Sequence, residues 1–149
     1  MKRLFLLGSI ITLLISCNSA PQTSEPPKVI QEEYVIGFDK IKEMFDEMKS
    51  SGVNTDTEML YGYFFNDKKR EKLEKVGKEL SKKGFQFVEI YSDTTELFWL
   101  HLERIEIHNA ESLYNLDKEL YAIADKYEIE SYDGFDVGNA DKTKPIETK

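Results

Sequence analysis

Residues 59–65 read Met59-Leu60-Tyr61-Gly62-Tyr63-Phe64-Phe65, with Asn54-Thr55-Asp56-Thr57 before them and Asn66-Asp67 behind. A run this aromatic between polar breakers predicts a β-strand. Its side chains alternate, with Leu60, Gly62 and Phe64 on one face and Tyr61, Tyr63 and Phe65 on the other. Upstream, Phe38, Ile41, Phe45 and Met48 recur at helical spacing, and Ser50-Ser51-Gly52 stops that helix. Downstream, Asn66-Asp67 offers N-cap oxygens to a second helix carrying Leu73, Val76 and Leu80, with Gly84 as its stop. A second strand is expected over 85–91, a turn over Ser92-Asp93-Thr94-Thr95, and a third strand over 97–107. In the third, Phe98, Leu100 and Leu102 alternate with Trp99, His101 and Glu103, after which the apolar phase passes to Ile105 and Ile107. A β-bulge near Glu103–Arg104 would account for that change. Asn109 caps a third helix bearing Leu113, Leu116, Leu120, Ile123, Ala124 and Tyr127, and a short strand over 128–132 runs into Asp133-Gly134.

The order is therefore a helix followed by β-α-β-β-α-β. It predicts an α+β fold of the ferredoxin-like split βαββαβ kind, an antiparallel four-stranded sheet with an extra N-terminal helix. No internal repeat is visible.

The N-terminus carries a different message. Lys2 and Arg3 precede twelve residues, Leu4 to Ile15, that are apolar but for Gly8, Ser9 and Thr12. A span across about 30 Å of hydrocarbon needs about 20 apolar residues, so this run reads as a secretory signal. An ordinary signal peptide or a buried N-terminal helix is the plainer alternative. Leu14-Ile15-Ser16-Cys17 resembles the bacterial lipobox, which implies lipidation of the Cys17 thiol and loss of residues 1–16. Asn18 resembles the sorting pattern of outer-membrane lipoproteins, so the periplasmic face of the outer membrane is the expected address. Cys17 is the chain's only cysteine, so no internal disulfide can staple the fold. Residues 17–33, with Pro21, Pro26 and Pro27, read as lipid anchor and flexible linker. The folded domain is expected over 34–138 and a frayed tail over 139–149.

Removing residues 1–16 takes away Lys2 and Arg3 and no acid, which leaves 18 basic against 28 acidic residues, a formal charge of −10. Phosphate backbones repel such a chain, so nucleic acid is not an expected partner. The second helix is rich in lysine, but Glu71–Lys75, Glu74–Lys78 and Glu79–Lys83 at i, i+4 describe a solvated face.

The sequence holds no nucleophile elbow, zinc-protease helix or phosphate-cradling glycine loop, and it implies no cofactor. His101 and His108 fall too far apart along a strand for one metal. Asp133, Asp136 and Asp141 could surround a hard cation, but their spacing fits no calcium loop, and a strand end with a turn at Gly134 explains them. The strongest candidate is a contact surface. If Phe98, Leu100 and Leu102 face the helices, Trp99 and His101 face outward. Tyr61, Tyr63 and Tyr91 are then expected beside them as an exposed aromatic patch. The occupant would be an envelope protein or a second copy, unless the leading helix covers it.

From about Phe38 to Phe135 the chain resembles the regulator of ribonuclease E activity B (RraB) family. The resemblance rests on the leading helix, the aromatic first strand, the helix closing in Leu80-Ser81-Lys82-Lys83-Gly84-Phe85, and the third helix running into Tyr132-Asp133-Gly134-Phe135. Family members usually show Trp where this chain has Phe135. The resemblance implies the fold and a protein-binding, regulatory habit. The founding members are cytoplasmic and restrain ribonuclease E, whereas Cys17 directs this chain across the inner membrane. The expected function is thus a membrane-anchored, non-catalytic binding module. The competing readings are an envelope enzyme using carboxylates near the last turn and a structural spacer lipoprotein.

Overall fold

Helical periodicity and capping chemistry set the three helices of the computed structural model, which describes residues 35–146 other than Asp93. Helix α1, Phe38–Ser50, buries Ile41 and Phe45 and keeps Lys40–Glu43 and Lys42–Asp46 ion pairs on its wet side. Helix α2, Arg70–Lys82, buries Leu73, Val76 and Leu80. The Phe85 N–H bonds back to the Leu80 carbonyl, ending α2 and dropping the Phe85 ring into the core. Helix α3, Ala110–Lys126, begins with a reciprocal cap. The Asn109 side chain accepts from the Ser112 N–H at 2.8 Å, and the Ser112 hydroxyl accepts from the Asn109 N–H at 3.0 Å. Two of the acids expected to pair along α2 go elsewhere: Glu74 takes Arg70 rather than Lys78, and Glu79 reaches across to Lys126 and Tyr127 of the α3 end rather than to Lys83.

Strands β1 (Met59–Asp67), β2 (Gln86–Ser92), β3 (Phe98–Glu106) and β4 (Ser131–Asn139) form one sheet in the order β2-β3-β1-β4, with antiparallel neighbours throughout. This is the expected split βαββαβ arrangement with a leading helix. Leu73, Val76 and Leu80 of α2 and Leu113, Leu120 and Ile123 of α3 pack in one core with Tyr61, Tyr63, Phe65, Leu100, Leu102 and Tyr132.

Four details differ from the sequence expectation. The β1–β3 register runs unbroken from Met59 opposite Glu106 to Asp67 opposite Phe98, so there is no bulge near Glu103–Arg104. The register shifts lie instead at Val88 of β2 and at Asp133 of β4. The last strand is not 128–132. A turn at Glu128, with φ of 51°, follows α3, and β4 then runs through Asp133-Gly134 because Gly134 takes a φ of 97° there.

Asp67 is also not an N-cap of α2. It ends β1, and its buried carboxylate accepts the Lys69 N–H at 2.7 Å and the Glu130 N–H at 3.0 Å, with Lys72 at 3.5 Å. One side chain thereby joins the ends of β1, α2 and β4. Asp67→Ala would strand two backbone donors and should lower the unfolding free energy by about 2 kcal/mol in urea titration.

Finally, where fraying was expected, residues 139–146 form a turn. The Asp141 N–H donates to Asn139 Oδ1, the Lys144 N–H to the Asp141 carbonyl, and the Asn139 amide to the Pro145 carbonyl. Cys17, the signal and the linker lie outside the described residues.

Candidate protein-binding face of the sheet

The unbroken β1–β3 register decides which side chains share a face. Tyr63 stands opposite Leu102 and Phe65 opposite Leu100, so the row Tyr61, Tyr63, Phe65 lies under the helices, and all three are buried. The expectation that Tyr61 and Tyr63 belong to an exposed patch is therefore corrected. The Tyr63 hydroxyl joins a polar cluster at one end of the core, while the buried Tyr61 hydroxyl has no hydrogen-bond partner among the described residues. Tyr63 donates to Glu106 Oε1 at 2.9 Å, Arg104 Nη2 lies 2.6 Å from Glu106 Oε2, and His108 Nε2 lies 3.2 Å from the same oxygen. The Arg104 guanidinium also sits 4.0 Å above the Phe85 ring, and the His108 ring meets Tyr61 edge-on at 4.9 Å. Burial pushes the Tyr61 hydroxyl up to about 12, aided by the Glu106 charge. Burial likewise holds Tyr63 far above its ordinary range.

The opposite face carries the rest of the predicted patch. Tyr91 at the end of β2 is 40 % exposed and stands across from Trp99 of β3. His101 follows Trp99 on the same face and stacks on Phe64 of β1, with ring centroids 4.6 Å apart and planes 16° from parallel. Thus Tyr91, Trp99 and His101 do share one surface, joined by Phe64 in place of Tyr61 and Tyr63. Toward the other end of the sheet Leu60 stands opposite Ile105, which is 51 % exposed.

Between these apolar ends lies a polar floor. Gly62 stands opposite Glu103 on one side and Asp136 on the other. A Cβ at position 62 would come within 2.3 Å of Asp136 Oδ1 and 3.1 Å of His101 Nε2. The missing side chain lets Asp136 fold inward and accept the Gly62 N–H at 3.1 Å. The Glu103 side chain is only 9 % exposed although it lies on the sheet face away from the three described helices. His101 Nε2 lies 3.6 Å from its Oε1, and Lys142 of the C-terminal turn pairs with its Oε2.

The motif Tyr132-Asp133-Gly134-Phe135 is structural in its first and last members. Tyr132 is buried against Phe65 and Tyr121, both at 4.8 Å between ring centroids, and Phe135 packs on the core opposite Tyr63. Asp133 is the bulged residue and is exposed. Beneath the motif lies Asp117 of α3, which is 1 % exposed. Burial is the main cause that pushes its carboxyl up to about 6, and the nearby Tyr132 hydroxyl tempers the rise. Among the described residues neither Asp117 oxygen has a partner at hydrogen-bonding geometry, so burial governs. Asp133, Asp136 and Asp141 are not gathered around a cation. Among the described residues no three His, Asp or Glu are grouped to hold a metal ion.

Sequence reading missed Phe64, Gly62, Glu103, Asp136 and Lys142 as parts of the face. The available signal was Gly62 itself, a glycine in the middle of an aromatic strand, which marks a close approach by another group.

Taken together, the chain is an α+β domain whose helices cover one side of an antiparallel sheet and leave an aromatic and acidic surface on the other. Residues 38–137 match the family of the regulator of ribonuclease activity B, and the chain belongs to that family. A comparison with curated proteins finds no match.

Proposed function

We propose that this chain is a lipid-anchored, non-catalytic regulatory module that acts by occupying a protein partner in the cell envelope. The observation that carries the regulatory half is the family match over residues 38–137, nearly the whole folded domain. The surface that fits the task is the sheet face bearing Tyr91, Trp99, Phe64 and His101, since aromatic side chains left at a surface are favoured anchors of protein contacts. The anchoring half is supported by the order Lys2-Arg3, the apolar run to Ile15, and Cys17 with Asn18 behind it. Sixteen linker residues between Cys17 and Tyr34 would span about 20–25 Å as a flexible coil, enough to hold the domain off a bilayer.

A cytoplasmic ribonuclease is not the proposed target, because export would part the two by a membrane. The address we propose is the periplasmic face of the outer membrane.

Cys17→Ser separates the two halves experimentally. It should abolish incorporation of labelled palmitate and move the protein from the membrane pellet to the soluble envelope fraction. Retention of label in the variant would remove the lipoprotein reading. Affinity capture from membranes with the anchor intact should recover a protein partner, and recovery of none would remove the regulatory one.

A further inference from the structure

The open face contains a contact that resembles a bound ligand. Glu103 is the most enclosed carboxylate on that face, and the cation beside it comes from the chain's own C-terminal turn, Lys142. The turn is short and tied mainly to itself, through Asn139, Asp141 and Thr143. The Lys142 side chain stays 55 % exposed while its ammonium reaches Glu103. Around this point the floor offers Asp136 across Gly62, and Glu89 stands opposite His101 on the β2 side. Phe64, Trp99 and Tyr91 provide ring faces within the same surface. A surface of this composition on a chain of formal charge −8 is complementary to cations, and aromatic faces add attraction for guanidinium and ammonium groups.

We propose that the open sheet face binds a basic segment of a protein partner, whose arginine or lysine takes the place of Lys142 at Glu103. The C-terminal turn then acts as a built-in competitor that shields Glu103 until a stronger cation arrives. The proposal rests on the binding-module reading and adds to it the chemistry of the partner and the point of entry. Arginine fits better than lysine, because its planar fork can bridge two carboxylates while lying on a ring.

The test uses the full chain in detergent micelles and two labelled nonapeptides, three Arg-Gly-Ser repeats and three Glu-Gly-Ser repeats, read by fluorescence anisotropy. The arginine peptide should bind and weaken with added salt, while the glutamate peptide should not bind. Lys142→Ala should tighten the arginine peptide by about threefold, the scale of an exposed ion pair removed as competitor. Glu103→Gln should weaken it by about tenfold or more, since the enclosed acceptor is lost. Lys144→Ala removes the same charge from the same turn, but Lys144 pairs with Asp141 at 3.3 Å, so its effect should be clearly smaller.

The assignment is overturned if Lys142→Ala leaves affinity unchanged, if Lys144→Ala matches it, or if both peptides bind alike. A doubling of mass that Trp99→Ser abolishes, without peptide binding, would also overturn it and give the face to a second copy. The two readings fail separately. A partner captured from membranes in equal yield by wild type, Lys142→Ala and Glu103→Gln keeps the regulatory reading and removes the basic-segment site. Peptide binding with the expected pattern but no captured partner does the reverse.

Discussion

Asp117→Asn should raise the unfolding free energy at pH 7 by about 3 kcal/mol and abolish most of the pH dependence between pH 4 and 7. The reason is the place α3 gives this carboxylate. Asp117 falls on the same stripe as Leu113, Leu120 and Ala124, and the core closes over it with Tyr132 and Tyr121. Burial holds the carboxyl near 6, against an ordinary value of 3.8. Below about pH 4 it is protonated in both the folded and the unfolded chain and contributes nothing. Between pH 4 and 6 the unfolded chain releases the proton while the folded chain keeps it. The folded state then binds more protons, so stability falls as pH rises and the loss is complete above pH 6. An amide of the same shape carries no charge and so no such penalty. Urea titrations at pH 4, 5, 6 and 7 should give converging stabilities at pH 4 and diverging ones at pH 7. Parallel curves for wild type and variant across that range would defeat the argument. The consequence reaches the surface, because β4 runs from Tyr132 to Asp136, the residue that floors the open face beside Gly62.

The element order was legible because each element announces itself locally. The aromatic run at 59–65, the Asn109 cap and the Leu80–Phe85 helix stop need only their neighbours in sequence. The inward row of β3 was legible, since Leu100 and Leu102 are buried and Trp99 and His101 face away, but the inward row of β1 was not. Both of its rows are apolar or aromatic, so period-two alternation leaves the choice open until the pairing with β3 is known. Further along β3 the alternation misleads. Arg104 and Glu106 continue the inward row of Leu100 and Leu102, while Ile105 and Ile107 point outward and are 51 % and 59 % exposed. Hydrophobicity alone reads that as a phase change and invents a bulge. The strand keeps its phase because Glu106 draws the Tyr63 hydroxyl, the Arg104 guanidinium and the His108 ring around one carboxylate at the edge of the core, and Tyr63 lies 43 residues away from it in sequence. The same distance hid the polar floor, since Gly62, Glu103, Asp136 and Lys142 meet only once the sheet and its C-terminal turn have formed. The fate of Asp117 was hidden more simply. A carboxylate on a helix stripe is read as solvated unless the covering residue, here Tyr132, is placed.

Glu106→Gln should act in the opposite direction to Asp117→Asn, lowering the unfolding free energy at pH 7 by about 3 kcal/mol. The Glu106 side chain is 15 % exposed. Burial alone would raise its carboxyl, but hydrogen bonds from His108 and Arg104, the Arg104 charge and the Tyr63 hydroxyl outweigh it and bring it down to about 2, from an ordinary 4.5. Its contribution is therefore present in full above about pH 4.5 and is lost as pH falls through 2. An uncharged amide would leave the Arg104 guanidinium without its ion-pair partner beside Phe85, which adds to the loss. Tyr63→Phe removes a single hydrogen bond from the same carboxylate and should cost about 1 kcal/mol, so the two variants rank the parts of the cluster. Asp117 and Glu106 share no hydrogen-bond partner, so their effects should add. Together they shape the wild-type profile. The Glu106 limb falls away below pH 4.5, the Asp117 limb falls away above pH 4, and stability should peak in the narrow overlap. In the double variant both limbs should flatten, measured by urea titration from pH 2.5 to 7. An acid limb that persists unchanged in Glu106→Gln would place the acid-sensitive group elsewhere and end this account of the cluster.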